Sequence, residues 1–336
     1  MNLHGWLPAR VVWRDSAPSV EWTLLGSQRL LDPFFERTLD RQMSHPFHQL
    51  FRREGSMQEM IEWTDEHPGA PLRGMIFHMS RCGSTLMSQQ LAACESHVVA
   101  SEPAPLEALV RARPHRKDLA REQQVHWIRA MVSAIGQARA GEASFYLKMD
   151  CWLVHEIDLI REAFPEVPWV FLYRDPLEVM VSHRRIPAAW TVPGLLPAEA
   201  LKLRMSDWDP TQIDVYVARA LALICESGLA AAQNDEHGML VNYSELPNIM
   251  YERMLRHFSL SPDAIPAMQR RSLQNAKSSN AFFSRDEKSK QADATDRLRG
   301  VVANYLEAIY RRLEAGRQAQ ASRSGSGSIE LSHASS

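Results

Sequence analysis

The sequence predicts an α/β protein whose parallel β-sheet is flanked by helices, and three observations support this. Short apolar runs alternate with helix-like stretches from about residue 72 onward. One run leads directly into a small-residue loop and then a helix. Another ends in Arg174-Asp175-Pro176, again with a helix behind it. Strands that alternate with helices need crossover connections, and these give parallel pairing.

Residues 1–70 are rich in Trp, Pro and His (Trp6, Trp13, Trp22, Pro33, His45, Pro46) and read as short helices and loops, a cap on the main domain. The turn-rich stretch Glu66-His67-Pro68-Gly69-Ala70-Pro71 marks the boundary. The main domain is expected over 71–316. Its buried strands are Gly74–Met79, Val98–Ala100, Phe145–Met149, Trp169–Tyr173 and Met239–Asn242, each a short apolar run bounded by turn signals. Helices are expected over Leu86–Ala93, 118–140, 152–164, 176–185, 212–233 and 248–258. Leu298, Val302, Tyr305, Ile309 and Leu313 then recur at helical spacing and form one apolar face. Past Gly316 the chain turns Gln/Ala/Ser/Gly-rich, so 317–336 is expected to be a disordered tail without a packing role.

Composition narrows the function. With 336 residues, 45% of them hydrophobic and 23% charged, the chain can bury a full core without disulfides or metals. Thirty-eight basic against 40 acidic residues give a net charge of −2, which provides no electrostatic basis for nucleic-acid binding but leaves room for a local basic pocket. The basic residues are 32 Arg and only 6 Lys, so a Lys inside an apolar run stands out. The four cysteines (82, 94, 151 and 225) form no C-x-x-C or zinc spacing and are expected to be reduced thiols. Met1–Arg14 lacks the apolar core of a signal peptide. The most apolar long stretch, Ile213–Ala232, carries Asp214, Arg219 and Glu226 and reads as a helix of a soluble protein, without stable membrane insertion. A cytoplasmic location is the expectation.

The loop after the first main strand is Ser80-Arg81-Cys82-Gly83-Ser84-Thr85. Strand, glycine-containing loop and helix in that order make an anion cradle, because loop N–H groups and the helix N-terminus point at the ligand. The loop lacks the Gly-Lys-Ser/Thr of a Walker A sequence, which disfavours a nucleoside triphosphatase. A tight turn with no ligand is the plain alternative. The second element, Trp169-Val170-Phe171-Leu172-Tyr173-Arg174-Asp175-Pro176 with Ser182 in the following helix, places an Arg at the carboxyl end of a strand, where ligands bind in open α/β sheets. Arg174 and the Ser182 hydroxyl could hold a second phosphate there.

Taken together, the Ser-Arg-x-Gly-Ser-Thr loop and the Arg-Asp-Pro-x5-Ser element resemble the sulfotransferase family, over about residues 72–315. The order of the two elements and their interval of roughly ninety residues fit as well. The resemblance implies the family's P-loop-like fold and 3′-phosphoadenosine 5′-phosphosulfate as sulfuryl donor, with no metal. It implies that Arg81, Cys82, Gly83, Ser84 and Thr85 contact the 5′-phosphosulfate and that Arg174 and Ser182 hold the 3′-phosphate. Arg81, where cytosolic members carry Lys, is similar to the Golgi-type and bacterial branch. Cys82 stands in place of the usual Ser.

Glu102 follows Val98-Val99-Ala100-Ser101 at the interval from Arg81 at which tyrosylprotein and related sulfotransferases place a Glu. The resemblance makes it the base that takes the acceptor's proton; helix capping is the plain alternative. His97 is a second candidate base, although it precedes the strand. Lys148, in Phe145-Tyr146-Leu147-Lys148-Met149, is the Lys that stands out. In the resembling branch a Lys at this position stabilises the transferring sulfuryl group, and a strand-end Lys snorkelling to water is the alternative. With Arg81 these form the expected catalytic set. Tyr243 in Val241-Asn242-Tyr243 matches the family's strand-end Tyr near the nucleotide. Lys277, at the start of the 277–290 segment, is the candidate for a basic residue closing over the donor.

Other constellations fail on inspection. His155-Glu156 has no His at 159, and Cys82 has no Arg at 88 to make a phosphatase loop. His183-Arg184-Arg185 reads as a pocket lining or a solvated helix face, and Trp127, Trp152 and Trp190 as core or rim. The expected function is sulfuryl transfer to a hydroxyl or amine of a small-molecule, carbohydrate, lipid or peptide acceptor. The rivals are a P-loop kinase of small molecules and a non-catalytic nucleotide-binding protein.

Overall fold

The apolar runs and amphipathic stretches fold, in chain order, into β1 (Trp6–Val12), β2 (Ser19–Leu24), α1 (Phe35–Met43), α2 (Pro46–Leu50), β3 (Arg53–Ser56), α3 (Met57–Glu66), β4 (Leu72–His78), α4 (Ser84–Ala92), β5 (His97–Ser101), α5 (Ala104–Val110), α6 (Arg121–Ile135), β6 (Ser144–Lys148), α7 (Ile157–Ala163), β7 (Trp169–Tyr173), α8 (Pro176–Arg185), α9 (Ile213–Asn234), β8 (Gly238–Asn242), α10 (Arg253–His257), α11 (Ile265–Ser272), β9 (Gln274–Asn275), β10 (Ser278–Phe282), α12 (Glu287–Asp293), α13 (Asp296–Tyr305) and α14 (Glu307–Ser326). The structure, a computed structural model, describes residues 2–14, 17–50, 52–204, 209, 211–275, 278–282 and 287–326.

The main sheet has five strands in the order β5-β6-β4-β7-β8. The pairings β5–β6, β6–β4 and β7–β8 are parallel. A parallel sheet covered by helices on both faces needs strands apolar on both sides, and Trp169–Tyr173 and His97–Ser101 are buried at every position. The five strands lie where the apolar runs predicted them, within two residues at each end. The chain divides into two compact units. The first is Met1–Ile76, Thr85–Pro168 and Pro247–Phe283, and the second is Phe77–Ser84, Trp169–Leu246 and Ser284–Ser336.

In the first unit the amino-terminal region departs from expectation. Beside the short helices α1–α3 and loops it holds a three-stranded antiparallel sheet, β1-β2-β3, that was not expected. Pro8 and a register shift between Pro8 and Arg10 break the strict alternation that marks a strand in sequence. Nor does a compact unit end at residue 70. Helices α5 and α6 pack on β1, and α3 packs on α6. The Gln137 side chain donates to Leu3 O (3.2 Å) and accepts from Gly5 N (2.5 Å), and Arg29 Nη2 donates to Cys94 O (2.5 Å). Helix α3 starts on a reciprocal capping box between Ser56 and Glu59. The stretch read as one helix over 152–164 is a 3₁₀ turn, Cys151–Glu156, followed by α7.

In the second unit, α9 is long and apolar enough to cross a membrane by length and composition, yet more than half of its most apolar stretch is buried. It packs against β7, β8, α13 and α14 as a core helix. Gly228 lets it approach the sheet, since a Cβ there would lie 2.5 Å from the Phe171 ring. Helix α8 begins as its sequence requires: Asp175 Oδ1 accepts from Glu178 N (3.1 Å), and Pro176 occupies the first helical position.

The expectation of a disordered tail from 317 is corrected over 317–326, which continue α14. Gln320 accepts from Leu240 N (2.8 Å) and donates to Gly238 O (3.0 Å), so this turn is fastened to β8. Glu314 receives hydrogen bonds from the Tyr173 hydroxyl (2.6 Å), Asn242 Nδ2 (2.7 Å) and Arg317 Nη2 (2.8 Å). Polar side chains that find backbone partners hold a helix that composition alone reads as linker. Residues 327–336 lie outside the described residues.

Candidate functional site

The second unit holds the loop after β4. Its backbone is left-handed at Ser80 (φ 74°), Arg81 (51°) and Gly83 (94°). Two of these are not glycine, so the surroundings must hold them in a sparsely populated region, as happens at ligand-binding turns. Ser80 N donates to His78 Nδ1 at 3.0 Å. Beyond the loop the first turn of α4 has no intrahelical acceptors for its N–H groups. Ser84, buried, opens that helix.

The Cys82 side chain is fully buried and its thiol donates to Leu172 O (3.1 Å), which leaves the loop's backbone groups as what Cys82 can offer a ligand. Arg81 Nε donates to Ser182 Oγ (3.1 Å), and its Nη2 reaches Ile186 O (3.0 Å) and Ser182 O (3.4 Å). The resemblance assigns Arg81 and Ser182 to different phosphates; here they touch each other. The guanidinium sits at the carboxyl end of α8, where carbonyls and the helix dipole favour a cation.

Arg174 follows the last residue of β7 and is buried beside an equally buried Glu178, with Nε to Oε2 at 2.5 Å. Its guanidinium stacks on the Tyr243 ring, 3.9 Å from the centroid. That ring in turn closes over the loop, since a Cβ on Gly83 would lie 2.6 Å from it. Arg174, Tyr243 and Gly83, from the ends of three elements, thus form one packed column. Glu178 was missed by the sequence reading, although its spacing of four residues after Arg174 on a helix was the available signal.

The first unit holds Glu102, Lys148 and Thr85. Thr85, in the first turn of α4, is buried, and its carbonyl accepts from Ser88 Oγ (3.2 Å). Lys148 ends β6, with Ile76 of β4 opposite on one side and Ser101 of β5 on the other. Glu102 leaves β5 with φ at +57° and donates its N–H to Lys148 O (2.7 Å). That turn brings its carboxylate back onto the ammonium. Lys148 Nζ, fully buried, lies 2.7 Å from Glu102 Oε1 as an ion pair without an aligned hydrogen bond. It also stands 4.7 Å over the Phe34 ring. The snorkelling alternative for Lys148 therefore does not hold.

Around the pair lie residues that the sequence reading did not single out. Burial, reinforced by the negative charges of Glu102 and Glu107, pushes the Asp150 carboxyl well above the usual range, and Lys148 opposes this. Glu107 accepts from Trp152 Nε1 (3.0 Å) and pairs with Arg111 (3.0 Å). Phe34 is remote in sequence, so nothing local announced it, whereas Glu107 is five residues beyond Glu102 and Asp150 two beyond Lys148. His97 is at the opposite end of β5 from Glu102. Its Nδ1 lies 3.0 Å from Leu91 O, its ring packs on Tyr146, and burial lowers its pKa, which suits a neutral core histidine rather than a base. Lys277 lies outside the described residues. Among the described residues no group of three His, Cys, Asp or Glu is placed to hold a metal ion.

No protein-family model and no curated protein sequence matches the chain. Its fold is similar to that of several solved structures. A sulfotransferase from Alicyclobacillus acidocaldarius is 12% identical over 74% of this chain and 96% of its own, with a TM-score of 0.46. A sulfotransferase from Mycobacterium avium is 15% identical over 74% and 81%, with a TM-score of 0.43. A retinol dehydratase in complex with androsterone and the inactive cofactor PAP is 13% identical over 79% and 84%, with a TM-score of 0.31.

Proposed function

We propose that this chain is a sulfotransferase that moves a sulfuryl group from 3′-phosphoadenosine 5′-phosphosulfate to a hydroxyl or amine, with Glu102 as general base. The supporting observation is the Glu102–Lys148 pair, a base and a buried cation 2.7 Å apart at the carboxyl ends of adjacent parallel strands. Ligands of open α/β sheets bind at those ends. A fully buried Lys is costly and needs a task or a partner.

The donor fits the second unit's residues in most respects. The left-handed loop and the amino end of α4 suit an anionic group. Arg174, stacked on Tyr243, suits a nucleotide phosphate with a ring beside it. Ser84 and Gly83 complete that set, while Cys82 contributes its backbone alone. The bound donor supplies an activated sulfuryl group whose departure leaves adenosine 3′,5′-bisphosphate. Glu102 accepts the proton of the acceptor as its oxygen or nitrogen bonds to sulfur. Lys148 offsets the charge that spreads over the transferring group.

The test is thermal unfolding with adenosine 3′,5′-bisphosphate beside AMP and Mg-ATP, followed by a transfer assay on wild type and Glu102→Gln. At about 100 times its Kd a ligand stabilises by roughly 2.7 kcal/mol. A shift with the bisphosphate and transfer lost in Glu102→Gln are expected. A shift with Mg-ATP alone would point to a kinase. Bisphosphate binding without transfer to any acceptor would point to a binding protein.

A further inference from the structure

Helix α8 works on two faces. Residues 178, 182 and 186 lie along one side, and these are the ones that meet Arg174 and Arg81. Residues 180, 183, 184 and 187 lie on the opposite side, given 3.6 residues per turn. They line a separate cavity of about 350 Å³ within the second unit, closed by residues of α9, α13 and the 187–192 segment. That volume is in the range of small-molecule sites, which are mostly apolar with a few placed polar groups.

The lining has this composition. Met180, Val192, Ile213 and Val217 give it apolar walls. His183, buried with its ring edge-on to the buried Trp190 at 5.0 Å, lies among them. Charge enters through Arg184, Arg297 and Asp214. Asp214 is 3.7 Å from Arg184, so it answers one cation, whereas among the described residues Arg297 has a 3.4 Å hydrogen bond to the Thr211 carbonyl, a neutral partner, and no carboxylate in a salt bridge. Two of the apolar lining residues also reach the surface, Ile213 at 48% and Val192 at 41% exposure.

We propose that this cavity binds a small organic anion with an apolar body, the body lying against Met180 and Val217 and the acid group facing Arg297. The acid is a carboxylate or a sulfate ester, which share the chemistry that a guanidinium recognises. The site is separate from the phosphate loop and does not depend on the proposed reaction.

The probe is decanoate, titrated calorimetrically into the full chain, with decanol and sodium sulfate as controls. Saturable one-to-one binding of decanoate is expected, with decanol at least tenfold weaker and sulfate weaker still. Arg297→Ala, an exposed change, should weaken decanoate at least fivefold and leave decanol unchanged. Val217→Trp should fill the cavity and abolish both. Adenosine 3′,5′-bisphosphate should not displace decanoate. The absence of saturable decanoate binding, equal binding of decanol, or indifference to Arg297→Ala would each overturn the proposal. Displacement by the bisphosphate would assign the cavity to the nucleotide site and overturn its separateness.

Discussion

Removing the carboxylate of Glu102 should destabilise the protein more than removing the amine of Lys148, although each change breaks the same ion pair. Lys148 is fully buried, whereas the Glu102 side chain is 24% exposed. Glu102→Ala therefore leaves a fully buried ammonium facing the Phe34 ring, 4.7 Å away, and the buried Asp150 carboxyl, whose own burial disfavours its charged form. Breaking a buried pair from one side costs about 3–5 kcal/mol, and the ring returns about 1 of it, so a loss of about 3 kcal/mol is expected. That corresponds to a Tm lower by roughly 6–12 °C, at about 2–4 °C per kcal/mol. Lys148→Met leaves a carboxylate that water can reach and should cost about 1 kcal/mol. Adding Lys148→Met to Glu102→Ala should then restore about 2 kcal/mol, a coupling that a double-mutant cycle reads directly. The backbone gives an internal control. Glu102 sits at φ +57°, where Gly is unstrained, so Glu102→Gly should be about 1 kcal/mol more stable than Glu102→Ala. Thermal and urea melts of the five proteins measure all of this. If Glu102→Ala melts with the wild type, or the two losses simply add, the buried-charge reasoning is wrong.

Other perturbations separate the remaining parts. Gly83→Ala should cost about 2–5 kcal/mol, because it strains a backbone at φ +94° and drives a methyl into the Tyr243 ring; nucleotide binding in a binding titration should fall with it. Deleting 317–336 should cost about 2–4 kcal/mol at roughly 1 kcal/mol per lost hydrogen bond, since it removes the bonds of Gln320 and the Arg317–Glu314 pair; a melt unchanged by the deletion would restore the reading of a loose tail. Burial lowers the pKa of His97 in the folded state below that of a free histidine. The unfolded chain therefore binds the extra proton first, and stability is full above about pH 6.5 and falls as the pH drops through the folded pKa. His97→Gln should flatten that part of the stability–pH curve. Arg174→Ala should both abolish bisphosphate binding and lower Tm, because Glu178 is left buried beside it.

The main sheet was legible because parallel strands buried on both faces are continuous apolar runs, and Trp169–Tyr173 appears in the structure at those limits. The amino-terminal sheet was not, because Pro8 interrupts β1 and the exposed charges of Arg10 and Glu21 pair across strands in a way that only the partner strand reveals. The end of α14 was misread because serine, glycine and glutamine look like linker until Gln320 meets the backbone of β8. In the site, Lys148 and Glu102 could be singled out because each breaks a local rule: a charge in an apolar run, a carboxylate at a strand end. Side-chain direction was beyond reach of spacing. Cys82 and Arg81 are adjacent, yet one thiol turns into the sheet while the guanidinium turns to α8. Phe34 joins the site through tertiary contact alone.

On the proposed chemistry, the closeness of Glu102 and Lys148 affects the timing of the transfer. At rest the two charges cancel, so the pair presents little field to an incoming group. Once the carboxylate takes up a proton, the ammonium loses its counterion, and the buried strand end offers no water to replace it. On the proposed chemistry its positive charge is unmasked by the proton transfer itself, as negative charge spreads over the moving sulfuryl group. A cation that is masked before the proton moves and unmasked after it favours the transition state over the bound substrate. Its loss in Lys148→Met should therefore appear in kcat while donor affinity holds.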